Sequence, residues 1–84
     1  MDQSLEYLRE ILSGHTETDD VGKKLYQKVS THNFSSDGKF VRVLTQEENQ
    51  YLNQILMEAI DYSKQEKDYV RARHLNEVYE LLFV

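Results

Sequence analysis

Three histidines, His15, His32 and His74, are the residues of this chain best suited to acid–base or metal chemistry, and each falls on a different predicted element. None has a second ligand at the His-Glu-x-x-His spacing that sets two imidazoles on one helix face for a metal ion. Glu77 follows His74 by three residues, a spacing that can orient an imidazole or form a weak surface pair, and the weak pair is the expectation. Cysteine is absent, so thiolate catalysis, thiolate metal ligation and disulfides are excluded. Glu17, Asp19 and Asp20 carry ligand oxygens but lack the alternating positions, central glycine and closing glutamate of a Ca²⁺ loop, so they read as helix-capping charge. The glycines at 14, 22 and 38 stand apart, which rules out a glycine-rich phosphate loop. Asn33-Phe34-Ser35 has the form of a glycosylation acceptor, and with no secretion signal ahead of it the match is read as chance. The expectation is a non-enzymatic chain with no catalytic residue, no metal and no cofactor.

Binding is the chemistry that remains. Lys64, Lys67, Arg71 and His74 share a face if one helix runs through them, and Arg73 lies nearby, giving a concentrated positive patch in an acidic chain. Such a patch is usually solvated and paired with Glu and Asp at helical spacing. Its functional reading is a dock for an acidic partner or for a phosphate or other small anion. Six tyrosines are many for this length, and tyrosine suits surfaces where the ring packs and the hydroxyl stays wet. Tyr79 is in phase with Leu75 and Leu82 and reads as core rim, whereas Tyr62 and Tyr69 flank a polar turn and are the better contact candidates.

The elements that must position these residues follow from periodicity and caps. Ser4 is placed to cap a first helix carrying Leu5, Leu8, Ile11 and Leu12, which Gly14 would end in the left-handed conformation. A second helix is predicted to start within residues 15–20, supported by Val21, Leu25 and Val29 and weakened by Gly22, so that 21–33 stays open between helix and strand. Asp37-Gly38 before Lys39-Phe40-Val41-Arg42-Val43-Leu44 predicts a β-hairpin with Phe34 opposite Val41 and His32 opposite Val43. Thr45 with Glu48 is a capping box that opens the next helix and is the best-marked boundary in the chain. Apolar stripes from Tyr51 to Ile60 and from Ala72 to Leu82, interrupted by Ser63-Lys64-Gln65-Glu66-Lys67-Asp68, predict an antiparallel helical hairpin whose last helix starts between Ser63 and Asp68. A single helix over 46–83 is the rival reading. The fold class expected is mainly α (α+β), in the order α-α-β-β-α-α, as a single small domain over residues 1–84.

The segment Asp68 to Glu77, with Tyr69, Ala72 and Leu75 at spacings of three, resembles the second helix of UVR-type helical hairpins. The Arg-Asp pair that follows the leucine in that family is absent here, so membership does not follow; the resemblance implies docking onto a like hairpin in a partner. A chain of 84 residues buries only roughly 60–65% of its unfolded surface, which favours help from a partner or a second copy. Its 15 acidic against 10 basic residues give a net charge of −5, which disfavours nucleic acid as a partner. The polar start and the lack of a spanning apolar run point to the cytoplasm and to no membrane. Together these features predict a protein–protein interaction or regulatory protein, with a homodimer as one form; the alternative is an anion-binding module on the basic face of the last helix.

Overall fold

Five short oxygen-bearing side chains, those of Asp2, Asp19, Ser36, Thr45 and Asp68, each accept a hydrogen bond from a backbone amide in the turn that follows them. At each one a helix begins, because these oxygens satisfy donors that the first turn leaves without an intrahelical partner. In the computed structural model, which describes residues 2–83, the helices are α1 (Gln3–Ser13), α2 (Asp20–Thr31), α3 (Asp37–Arg42), α4 (Gln46–Gln65) and α5 (Tyr69–Leu81). The chain is mainly α-helical, and no strand occurs among the described residues.

The predicted β-hairpin is therefore corrected. An Asp-Gly hairpin turn needs positive φ at its centre, and no described glycine has positive φ. Ser36 instead accepts the Lys39 amide at 3.3 Å and starts α3, which delivers Phe40 to the core with no exposed surface. Phe34 packs edge-on against Phe40, with ring centroids 5.4 Å apart, rather than across a strand pair from Val41. Two smaller expectations also change. Asp2, not Ser4, caps α1, and Gly14 ends it in a right-handed conformation with φ −81°. Residues 20–31 are helix despite Gly22, whose missing side chain serves a close approach: a Cβ there would lie 2.6 Å from the His15 carbonyl oxygen and 2.9 Å from the Tyr51 hydroxyl.

The capping box is formed as expected. Thr45 Oγ1 accepts from the Glu48 amide at 3.1 Å while Glu48 Oε1 accepts from the Thr45 amide at 2.9 Å. Twenty residues in α4 make a rod of about 30 Å, equal to the longest dimension of the molecule, 30 Å. An uninterrupted helix over 46–83 would be about 57 Å long, and the chain turns back at 66–68 instead. α5 then packs along α4, bringing Asn49 Nδ2 within 3.3 Å of the Leu82 carbonyl at the far end.

α5 is also the element against which α1 and α3 pack, while α2 joins α1 and α4. Leu5, Leu8 and Leu12 from α1, Leu25 and Val29 from α2, Phe40 from α3, Leu52 and Leu56 from α4, and Leu75 and Val78 from α5 are fully buried. Burying side chains of this size stabilises by about 1.5–3 kcal/mol each before chain entropy is subtracted. No helix among the described residues is long and apolar enough to cross a membrane.

Candidate partner-binding site at the tip of the last helical pair

The turn between α4 and α5 is closed by two backbone bonds, Lys67 N–H to Lys64 O at 3.0 Å and Asp68 N–H to Ser63 O at 2.8 Å. This pairing is a Schellman motif, which requires a left-handed residue just past the helix end and usually places glycine there. Here the residue is Lys67, with φ 60°, the one non-glycine residue at positive φ among those described. Immediately around this strained turn stand Tyr62, Tyr69 and Val70, which are 63%, 63% and 52% exposed. Tyr62 reaches Glu66 with its hydroxyl at 3.3 Å, a long and weak bond that leaves the ring face free. Behind Tyr62 lies a cavity of about 370 Å³ with an apolar floor of Ile11, Ala59 and Leu75 and a polar rim that includes Glu66 and Arg71.

The sequence-predicted basic face is dispersed by this geometry. Lys64 is exposed on the last turn of α4 and Lys67 on the turn itself, so neither shares a helix with Arg71, Arg73 and His74 on α5. Arg71 turns toward α1, meeting Asp68 at 3.2 Å and Glu10 at 3.2 Å, with its guanidinium 4.7 Å from the centre of the Tyr7 ring. Both partner carboxylates are solvent-facing, so this is a modest clamp between α1 and α5. Arg73 is exposed on another side, lining a cleft shared with Asp37, Glu77 and Glu80. Thus the tip gathers Tyr62, Tyr69, Lys64 and Lys67, while Arg71 and His74 serve the α1–α5 seam.

His74 illustrates a grouping that sequence reasoning missed. Its Nδ1 lies 3.0 Å from Ser4 Oγ, which donates to Glu77 Oε2 at 3.0 Å, and its ring centroid is 5.5 Å from that of Tyr7. A hydroxyl has one proton, so with that proton on the Glu77 bond the imidazole must donate from Nδ1. The three residue types are those of a hydrolytic triad, but the carboxylate and the imidazole bond the same hydroxyl rather than each other, and Ser4 is 1% exposed. The arrangement pins α1 to α5 and presents no accessible nucleophile. Ser4 and Glu77 are 73 positions apart, and no local pattern links them.

A second grouping lies at the opposite end of α4. Lys28 Nζ approaches Glu48 Oε1 at 2.6 Å and the Val43 carbonyl at 3.0 Å, joining α2 to the capping box. Burial by itself raises the Glu48 carboxyl, but the Lys28 bond and charge and the Thr45 amide outweigh it and hold the group below its ordinary range. Among the described residues no group of three or more His, Cys, Asp or Glu side chains is arranged to hold a metal ion.

The described residues form a small helical protein of five helices with exposed aromatic side chains at the tip of the last pair. By sequence it belongs to the family CsgA, described as minor curli fiber component A, which it matches over residues 1–83. It is similar to a Bacillus subtilis (strain 168) protein named sigma-G-dependent sporulation-specific SASP protein, with 42% identity over 82 residues that cover 98% of this chain and 99% of the relative. No solved structure matches the chain.

Proposed function

We propose that this protein is a non-enzymatic interaction or regulatory protein, a single domain over residues 1–84, that docks another protein or a second copy of itself through the tip of α4 and α5. The observation that carries this reading is the exposure of Tyr62, Tyr69 and Val70 on a turn where Lys67 occupies a left-handed position that glycine would fill without strain. Exposed tyrosines flanked by Lys64 and Lys67 suit a partner with an apolar groove and an acidic rim. The chain's own charge of −5 makes a second copy one such acidic surface and leaves nucleic acid disfavoured.

The setting we propose is sporulation, in the cytoplasm, on the strength of the printed name of the Bacillus subtilis relative. The fibre in the family's description finds less support, since the described residues have no strand and hence no open sheet edge on which further chains could add. For the alternative, a module binding phosphate or another small anion, Lys64, Lys67 and Arg73 are the exposed cations of the predicted face, because Arg71 already faces two carboxylates.

Molar mass by light scattering across a concentration series, for the wild type and a Tyr62→Ser/Tyr69→Ser variant, tests the reading. A dimer that the double substitution converts to monomer places the self-contact at the tip. A monomer that captures an acidic partner, and loses it on the same substitution, places a different protein there. A dimer unmoved by the substitution, or capture unmoved by it, overturns the tip as the contact site.

A further inference from the structure

Asp37 is the first residue of α3, and its two carboxylate oxygens are treated very differently. Oδ1 accepts the Gly38 amide at 2.9 Å, whereas Oδ2 is buried and has no donor. An orphaned buried carboxylate oxygen has lost its water without gaining a donor, so its neighbours matter. α3 packs on α5, and another acid, Glu77 of α5, lines the same cleft as Asp37. Glu77 already accepts the Ser4 hydroxyl at 3.0 Å, which leaves its carboxylate with lone pairs to spare.

We propose that Asp37 and Glu77 share one proton, and that this acid-to-acid hydrogen bond is a latch that fastens α3 to α5 when a proton is taken up and loosens it when the proton leaves. The remaining charged or titratable groups around the pair are Asp2 from the start of α1, Arg73, His74 and Glu80 from α5, and Lys39 on α3 itself. Asp2 and Glu80 add negative charge and favour uptake of the proton. Arg73 opposes it from an exposed position, where water screens its effect. Burial first, then the Glu77 bond and the charges of Asp2 and Glu77, push the Asp37 carboxyl above its ordinary value. The folded state therefore holds a proton that the unfolded state has released. The stability it supplies is complete below the ordinary aspartate value and is lost as pH rises through the raised one.

Because α3 is the element that inserts Phe40 into the core, the latch controls access to that position. The released form, above the raised value, keeps the fold, with α3 opening more often. This is independent of the tip proposal, since neither Tyr62 nor Tyr69 lies near the pair.

The test is carboxyl-carbon NMR titration of Asp37 in the wild-type protein, together with hydrogen-exchange protection factors for the Phe40 and Val41 amides across the same pH range. The two must agree: protection should fall about tenfold, as pH rises, for each unit by which Asp37 titrates above the usual aspartate value of about 3.9. Asp37→Asn supplies a permanent donor to Glu77 and should keep protection high and flat with pH. Glu77→Gln should do the same toward Asp37. An Asp37 titrating at its ordinary value overturns the shared proton. A raised titration with pH-independent protection overturns the latch, and either result can be read on the wild type alone if the variants fold poorly.

Discussion

The two ends of α4 are built on opposite terms. At its start, Glu48 is 5% exposed and bonds the Thr45 amide and Lys28, while Thr45 returns a bond to the Glu48 amide. At its finish the backbone bonds close on Lys67 at positive φ, and the aromatic rings there project into solvent. The first end converts polar groups into stability because each orphan donor finds a fixed acceptor. The second retains a strained backbone and exposed rings, the state expected of a surface whose complement comes from elsewhere. Holding the fold and, under the proposed function, meeting a partner thus fall to opposite poles of one rod about 30 Å long.

Substitutions at the two ends should differ in size and in sign. Glu48→Ala removes the buried acceptor, breaks the capping box and strands Lys28, and should lower stability by about 3 kcal/mol in urea unfolding at neutral pH. The Glu48 carboxyl is held low in the folded state, so its contribution is full above the unfolded glutamate value of about 4.3 and fades as pH falls through the folded one. The gap between wild type and variant should accordingly shrink in acid; a gap constant down to about pH 3 would mean that packing alone accounts for the loss. Thr45→Ala keeps the Lys28 pair but deletes the cap, and should cost about 1 kcal/mol.

At the other end, Lys67→Gly should act in the reverse direction. It relieves a left-handed penalty of about 1 kcal/mol or more, offset in part by the extra freedom of glycine in the unfolded chain, for a net gain of about 0.5 kcal/mol in thermal or urea unfolding. A loss on Lys67→Gly would show that the lysine side chain contributes to the fold, and the contrast between the ends would collapse.

Local signals made much of this architecture legible. The Thr45–Glu48 box, the apolar stripes of α4 and α5 and the polar interruption between them all act within a few residues, and the helices start and stop accordingly. Residues 32–44 show the limit of that reasoning. Asp37-Gly38 and the branched residues after it carry a real local preference for a hairpin, while Ser36 carries an equally local preference for a helix start. The choice was made by tertiary packing, through burial of Phe40 between α3 and its neighbours. The place of Tyr62 and Tyr69 beside a polar turn was also legible, and both are exposed there. The Ser4–His74–Glu77 cluster was not, since α1 and α5 are brought together only by the fold.

The position of α5 bears on how the molecule comes into being. This helix packs on α1, α3 and α4, and its Leu75 and Val78 are fully buried, yet a ribosome makes it after the other four described helices. Until it arrives, Leu5, Leu8 and Leu12 of α1 lack one of their two principal packing partners, and the Ser4 contacts cannot exist. Contacts this distant in sequence delay folding, so the nascent chain carries a partly uncovered apolar stripe on α1 and becomes native only once α5 is free to close the core.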